Sequence, residues 1–194
     1  MNSDEGRRRM TRLPTAGESA GRNVPKRLKT AKRHDASSQA WLERQINDPF
    51  AAEARAKGYR SRAAFKLTEI DDRPHLLKRG ARVLDLGCAP GGWIQVAIQR
   101  GAGAVVGVDL LAIDPLPPAI IVQGDFTDPG MGENLVELLG GAPDVVLSDM
   151  APNTTGHRET DHLRIVGLID MALDFAIASL KPGGAFVATG FKGR

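Results

Sequence analysis

The stretch VLDLGCAPGGW, residues 83–93, decides the fold, because it joins an apolar strand-like run to a helix through a glycine turn. Gly87, Gly91 and Gly92 let the backbone pass close to a ligand, and Pro90 stiffens the approach. A strand, a glycine turn and a helix in this order are typical of α/β proteins that bind a ligand beside the first strand. The stretch therefore predicts such a fold with a ligand site at the turn.

Five β-rich runs alternate with helix-compatible stretches along the rest of the chain. The runs span residues 81–87, 104–110, 119–126, 144–150 and 184–190, and the helices between them are predicted over 91–100, 131–139 and 162–180. Near-continuous apolar strands separated by helices indicate a parallel sheet covered on both faces. We therefore expect an α/β fold with a doubly wound, mostly parallel sheet.

Helices are also predicted ahead of this sheet. Trp41, Leu42 and Ile46 recur at near-helical spacing. The pair Asp48–Pro49 then offers an N-cap with proline at the first helical position, for a helix ending near Gly58. Ser61 is expected to cap a third helix over residues 61–72.

Basic residues are concentrated at the amino-terminal end of the chain. Residues 1–34 contain ten Lys or Arg and three acidic residues, a net charge of +7 in a chain whose total is +3. With almost no apolar pattern, residues 1–37 are expected to form a disordered arm ahead of one globular domain, residues 38–194. The arm either binds phosphates non-specifically or is a solvated tail without function.

Composition excludes several classes of protein. Cys88 is the only cysteine, so an intramolecular disulfide and a cysteine-based zinc site are both excluded. No apolar run approaches the length of a membrane span, and the first residues lack the apolar core of a secretion signal. We expect a cytoplasmic protein without membrane or metal partners.

An acidic residue stands at the end of each of the first four predicted strands: Asp85, Asp109, Asp125 and Asp149. The carboxyl ends of parallel strands meet at one edge of the sheet, where ligands bind near the switch in strand order. The four acids therefore predict a shared ligand site.

The identity of that ligand follows from the glycine spacing and the acids. The spacing G-x-x-x-G-G matches neither a dinucleotide fingerprint nor a Walker loop, which argues against a nicotinamide-dependent oxidoreductase. Asp85 suits a cationic amino-acid end, Asp109 suits ribose hydroxyls, and Asp125 could accept from an adenine amine. These features together indicate S-adenosylmethionine. Trp93 has two interpretations, core packing or a wall of the ligand site.

Five segments resemble the FtsJ/RrmJ family, the RlmE-type 2′-O-ribose methyltransferases that act on a uridine of bacterial 23S rRNA. They are RSRAAFKL (60–67), LDLGCAPGGW (84–93), VDLLAIDP (108–115), QGDF (123–126) and SDMAPN (148–153). The resemblance runs from about Trp41 to Gly184. It implies a Rossmann-like class I S-adenosylmethionine-dependent methyltransferase with seven strands, the last antiparallel, and the large ribosomal subunit as partner.

The resemblance also implies roles for individual residues. The cofactor contacts would be Gly91, Trp93, Asp109, Asp125 and Asp149. Lys66 and Asp149 would match two members of the family's catalytic Lys-Asp-Lys-Glu tetrad. Lys66 has two interpretations. It is either half buried on its helix, where burial would lower its pKa and let its amine take a proton from a ribose hydroxyl, or an ordinary surface lysine.

The last residues depart from the family pattern. Thr189 falls at the position of the tetrad's second lysine, and its hydroxyl is too weak a base for that role. Lys192 is a candidate replacement. The resemblance further implies a domain incomplete at its C-terminus, without the last strands, and a monomer unless the exposed sheet edge self-associates.

Two functions remain open at this point. The chain is either an RNA 2′-O-methyltransferase with weak or lost activity, or an inactive remnant that binds RNA or cofactor. Arg60 and Arg62, close in sequence to Lys66, are candidate phosphate contacts. His157, in the loop after the fourth strand, is expected to be solvated.

Overall fold

The computed structural model describes residues 49–151 and 156–190. Within these ranges the chain forms five helices and five strands in a mostly alternating order. The helices are α1 Pro49–Ala56, α2 Ala63–Asp71, α3 Gly92–Gln99, α4 Met131–Leu138 and α5 Arg158–Ser179. The strands are β1 Arg82–Leu86, β2 Ala104–Asp109, β3 Ile120–Gln123, β4 Val145–Ser148 and β5 Ala185–Ala188.

The five strands form one parallel sheet in the order β3-β2-β1-β4-β5. The chain adds strands on one side of β1 and then returns to add β4 and β5 on the other. The switch in strand order therefore lies between β1 and β4, where α/β sheets open a crevice for ligands. The prediction of a doubly wound α/β fold is confirmed.

Two apolar cores lie on opposite faces of the sheet, because successive strand residues point to opposite sides. Val83 and Leu147 belong to the core that includes α2 and α3 residues. Leu84 and Val146 belong to the core that includes α4 and α5 residues. Strands buried on both faces explain why the sequence runs read as continuously apolar.

An ion pair joins the C-terminal ends of α2 and α3. The carboxylate of Asp71, at the end of α2, is buried and accepts a hydrogen bond from the Leu77 amide at 2.9 Å. Arg100, which follows α3, lies 3.1 Å from the same carboxylate. Because both oxygens of this buried acid have donors, α2 is held against α3 at a fixed position.

The structure departs from the predicted boundaries at three places. β3 ends at Gln123 instead of continuing to residue 126, because the chain turns at Asp125, whose carbonyl accepts the Asp128 amide at 3.1 Å. α5 begins at Arg158, four residues before the predicted start. The capping prediction for Ser61 is wrong: Arg62 stands at the N-cap of α2, and no side chain caps that helix.

Several predictions lie outside the described residues. These are the helix around Trp41, the disordered arm over residues 1–37, and Lys192. Across the parts of the chain that the structure describes, no helix combines the length and apolar character needed to cross a membrane.

The close packing of α3 on β2 generates the first prediction. A Cβ at Gly107 would lie 2.8 Å from Ile94 Cδ1 and 2.9 Å from Cys88 Sγ. Gly107→Ala should therefore lower the free energy of unfolding by about 1–3 kcal/mol through overpacking. The matched control is Gly167→Ala in α5, where a Cβ meets nothing within 4 Å. This control should be neutral or stabilising by up to about 1 kcal/mol. Urea denaturation measures both, and equal effects would contradict the prediction.

Candidate functional site

The glycine turn lies directly beyond β1 and needs glycine at two positions. Gly87 and Gly91 have φ of 81° and 107°, in the left-handed region that other residues rarely adopt. A Cβ at Gly87 would lie 2.7 Å from the Met150 side chain. The amides of Gly87 and Cys88 both donate to the Val108 carbonyl, at 2.9 and 3.1 Å. The turn is therefore anchored on β2 while it bends toward α3.

A small cavity of about 10 Å³ lies under this turn, with room for roughly one water molecule. It is lined by residues from the start of α2, the end of β1, the glycine turn and the end of β4: Ser61, Ala63, Asp85, Gly87, Cys88, Ala89, Gly92, Trp93 and Asp149. The cavity thus stands at the switch in strand order that the sheet topology defines.

Three polar atoms at this cavity have no hydrogen-bond partner among the described residues. They are both carboxylate oxygens of Asp85 and the hydroxyl oxygen of Ser61. Both side chains are buried. A Cβ at Gly92 would lie 2.3 Å from the Ser61 hydroxyl oxygen, so the glycine makes room for it. Because buried polar atoms are nearly always satisfied, these three indicate a site for a polar ligand.

Burial raises the pKa of Asp85 well above its ordinary value. The negative charges of Asp149 and Asp109 add to this shift. A ligand cation placed here would relieve both penalties, since it would supply the missing counter-charge and hydrogen bonds. The site is therefore suited electrostatically to a cationic group.

Asp109 ties the glycine turn to the loop that follows β2. Its carboxylate accepts the Ala89 amide at 2.8 Å through Oδ2 and the Leu111 amide at 2.9 Å through Oδ1. This arrangement leaves Asp109 at the rim of the crevice, close enough to influence the pKa of Asp85.

Asp125 lies in a separate turn, away from the residues that line the cavity. Its Oδ1 accepts hydrogen bonds from the amide and hydroxyl of Thr127, at 2.8 and 2.7 Å. These hydrogen bonds lower the pKa of Asp125 below its ordinary value. The structure thus brings Asp85 and Asp149 together at one cavity, whereas Asp125 lies in the loop that follows β3.

Asp149 and Thr189 meet beside the cavity. The Thr189 hydroxyl donates to Asp149 Oδ1, and the Thr189 amide donates to the Ser148 carbonyl at 2.9 Å. The residue that falls at the family's second lysine position is therefore in direct contact with the predicted catalytic aspartate.

Trp93 has features of both interpretations that the sequence left open. Its ring is buried in the core between the sheet and α2. It also lines the cavity, and its indole nitrogen donates to the Ala63 carbonyl at 2.8 Å. Trp93 thus joins the first turn of α3 to the first turn of α2.

Lys66 is exposed, so the half-buried interpretation is wrong and the surface interpretation is confirmed. The physical reason is the position of α2, which buries Ala64 and Leu67 and turns Lys66 toward solvent. Lys66 stands three residues after Ala63, which lines the cavity. Residues with this spacing are neighbours on one helix face, so Lys66 extends from the helix face that borders the site.

The sequence did not reveal that Ser61 lines the cavity or that Arg60 binds backbone carbonyls. Ser61 was interpreted as a helix cap, whereas its hydroxyl faces the cavity. The Arg60 guanidinium, predicted to contact phosphate, donates to three backbone carbonyls of this chain.

His157 is exposed, as expected for a loop residue. Among the residues that the structure describes, no group of three or more His, Cys, Asp or Glu side chains could hold a metal ion.

Comparison with known proteins identifies relatives over most of the chain. Residues 59–194 match the family model described as FtsJ-like methyltransferase. A protein of Caulobacter sp. (strain K31) is 65% identical over 184 residues, which cover 95% of this chain and 81% of that protein. Its counterpart in Caulobacter vibrioides is 63% identical with the same coverage. Both are named ribosomal RNA large subunit methyltransferase E.

A solved structure is similar as well. A protein of Plasmodium falciparum described as a ribosomal RNA methyltransferase superposes with a TM-score of 0.64 at 32% identity. The superposition covers 70% of this chain and 80% of that one. The Rossmann-like arrangement predicted from the sequence is therefore shared with a crystal structure.

The unpartnered carboxylate generates the second prediction. Above the ordinary pKa of an aspartate the unfolded chain has lost the Asp85 proton, while the folded chain retains it because its pKa is raised. Stability should therefore fall as pH rises from about 4 toward the folded pKa, by up to about 1.4 kcal/mol per pH unit. Asp85→Asn should remove this slope and leave the free protein more stable at neutral pH.

Urea denaturation between about pH 4 and pH 8 measures the slope. Asp125→Asn is the control. The pKa of Asp125 is lowered, so its contribution to the free energy of unfolding changes only at pH values below the ordinary pKa of an aspartate. An Asp85→Asn variant with the slope of the unmodified chain would contradict the assignment.

Proposed function

Because the chain belongs to the FtsJ-like methyltransferase family, we propose that it methylates the 2′-hydroxyl of a uridine ribose in the 23S RNA of the large ribosomal subunit, with S-adenosylmethionine as methyl donor. The observation that carries this proposal is the pair of unpartnered groups, Asp85 and Ser61, at a glycine turn on the switch point of a parallel sheet. The named relatives support the ribosomal RNA substrate.

The residues present fit S-adenosylmethionine. Its amino-acid end carries one ammonium and one carboxylate. The cavity offers a buried carboxylate that has no hydrogen-bond partner in the described part of the chain, beside a hydroxyl that can donate. Asp85 would accept from the ammonium, and Ser61 would donate to the carboxylate. When bound, S-adenosylmethionine supplies an electrophilic methyl group on a sulfonium.

Other residues of the crevice have proposed binding roles. Asp109 would accept from the ribose hydroxyls of the cofactor and Asp125 from its adenine amine, since Asp109 ends β2 and Asp125 follows the end of the neighbouring strand β3. Gly91 would allow close approach of the backbone, and Trp93 would form one wall. Asp149 would border both the cofactor and the target hydroxyl.

Transfer requires removal of a proton from a ribose hydroxyl that is held in line with the methyl group. Lys66, in its neutral amine form, is the proposed base, because its side chain extends from the face of α2 that borders the cavity. The amine would take the hydroxyl proton as the ribose oxygen forms its bond to the methyl carbon and the bond from that carbon to sulfur breaks. Asp149 would orient the lysine or the hydroxyl by accepting a hydrogen bond from it. Thr189, which donates to Asp149, is an alcohol and does not take the proton at neutral pH.

The basic amino-terminal residues fit an RNA substrate. Their net charge of +7 would neutralise phosphates and release counterions. We propose that residues 1–37 form an RNA-binding arm and residues 38–194 the methyltransferase domain. Affinity for RNA should then fall as salt concentration rises.

The direct test is transfer of a labelled methyl group from S-adenosylmethionine to large ribosomal subunits from cells that lack the modification. The purified chain should label a uridine 2′-hydroxyl in the 23S RNA. Lys66→Met should reduce the rate by about two to four decades, since that is the usual contribution of general-base catalysis. Binding of S-adenosylmethionine should be unchanged, because Lys66 does not line the cavity.

Lys78→Met is the matched control, since Lys78 is also exposed but lies before β1, at the opposite edge of the sheet. A chain that binds S-adenosylmethionine and RNA but transfers no labelled methyl group to the RNA would be an inactive binding remnant. Equal rates for Lys66→Met and Lys78→Met would remove Lys66 from the mechanism.

A second amine beside Asp149 should accelerate the reaction. Thr189→Lys replaces the hydroxyl that donates to Asp149 with an amine at the position where the family has its second lysine, and the neutral form of that amine can accept the hydroxyl proton. The rate of methyl transfer should rise by up to about two to four decades. Thr189→Val, which removes the hydroxyl without adding an amine, is the control and should not be accelerated. A Thr189→Lys rate equal to that of Thr189→Val would contradict this role.

A further inference from the structure

The loop that joins β2 to β3, residues 110–119, contains neither helix nor strand. It begins directly after Asp109, so its position sets the rim of the crevice. Three of its residues, Pro115, Pro117 and Pro118, have no amide hydrogen to donate. Leu110 and Leu111 are 62% and 57% exposed. The loop therefore has little regular hydrogen bonding of its own to hold its shape.

Packing against the sheet holds the loop only in part. Ile113 and Leu116 contact the core, but a cavity of about 220 Å³ separates the middle of the loop from β3. The cavity is lined by residues of the loop and of the strand: Ala112, Ile113, Pro115, Ala119, Ile121 and Gln123. Contacts from elsewhere in the chain are therefore needed to fix this segment.

Arg60 supplies such contacts. Its Nη1 donates to the Asp114 carbonyl at 2.7 Å, and its Nη2 donates to the Pro115 carbonyl at 3.0 Å. Nη1 also lies 3.4 Å from the Pro90 carbonyl in the glycine turn. One guanidinium thus joins the middle of the loop to the turn that leads into α3.

The backbone of Arg60 is fixed in turn by α3. The Arg60 amide donates to the Gln95 side-chain oxygen at 2.7 Å, and the Gln95 side-chain nitrogen donates to the Gly58 carbonyl at 3.0 Å. A Cβ at Gly91 would lie 3.3 Å from Arg60 Cδ and 2.6 Å from Leu116 Cδ1. The arginine stem therefore crosses the glycine turn in close contact.

We propose that Arg60 is a positioning residue for the methyl donor, which it serves by holding loop 110–119 against the glycine turn. This inference rests on the proposed function. Asp109 joins the same two segments, through the amides of Ala89 and Leu111. A ribose hydroxyl bound by Asp109 would share the two carboxylate oxygens with those amides and draw the carboxylate toward the ligand. Arg60 then keeps the turn and the loop together while Asp109 engages the ligand.

The chemistry of the side chain distinguishes this role from contact with RNA phosphate. A guanidinium holds several donors in a rigid planar fork, which suits three carbonyls from two segments. A lysine at the same place carries the same charge but a single ammonium on a flexible stem. Arg60→Lys should therefore preserve a phosphate contact and fail to preserve this one.

The experiment compares the unmodified chain with Arg60→Ala, Arg60→Lys and the control Lys78→Ala. Calorimetry measures affinity for S-adenosylmethionine, and anisotropy measures affinity for large-subunit ribosomal RNA. Both Arg60 variants should bind S-adenosylmethionine about tenfold more weakly, the loss expected when charge-assisted hydrogen bonds disappear. Their RNA affinity should stay within about twofold of the control, because one phosphate contact would account for more.

A second readout uses the protein without cofactor. Amide hydrogen exchange in residues 110–119 should be faster in both Arg60 variants than in Lys78→Ala, while exchange in β1 and β4 stays the same. Unchanged exchange in this loop would overturn the proposal, whether or not the chain binds S-adenosylmethionine. A loss of RNA affinity in Arg60→Ala that Arg60→Lys restores would also overturn it. If the unmodified chain binds no S-adenosylmethionine, the proposed function fails and the exchange result decides the role of Arg60 separately.

Discussion

The parallel pairing of β1 with β2 on one side and β4 on the other is the constraint on which the rest depends. The residues from Val83 to Leu86 pair with both neighbouring strands, so the backbone amides and carbonyls of β1 form hydrogen bonds within the sheet. The chain therefore leaves the sheet at Gly87, and β2 and β4 end at the same edge. This pairing brings Asp85, Asp109 and Asp149 close together although they are far apart in sequence.

The proximity of these acids lowers the stability of the free protein and favours binding of a cationic ligand. A buried carboxylate near two other acids, with no hydrogen-bond partner among the described residues, is unfavourable in the free protein. The same carboxylate is a strong acceptor for a cationic ligand, because buried charges attract each other more strongly than charges in water. The glycine turn contributes to this contrast, because Gly87 and Gly92 leave space where a Cβ would contact Met150 or Ser61. The cost is local, and the two apolar cores on either side of the sheet offset it.

The sequence predicted the sheet well because each strand is buried on both faces, which makes its residues continuously apolar. It predicted α1, α3 and α4 closely because Pro49, the glycine turn and Gly130 mark their starts. It failed for Ser61, whose position before α2 resembles a cap, since only the approach of Gly92 shows that the hydroxyl faces a cavity. It left both interpretations of Lys66 open because adjacent apolar residues do not reveal which side of a helix is covered. It did not reveal the hydrogen bonds of Arg60, because a cation in a basic segment does not show which carbonyls lie nearby, and its predicted phosphate contact stays a prediction.

The sequence by itself determined the order of strands and helices, the glycine turn and the family, because these depend on local pattern and on motifs of fixed spacing. Only the tertiary structure decided which polar atoms remain without partners and which acids share a cavity. It also decided that Thr189 donates to Asp149 and that Arg60 joins the loop after β2 to the glycine turn. The physical reason is that these hydrogen bonds join residues from 30 to 55 positions apart, through the parallel register and helix packing, and no local pattern encodes such separations.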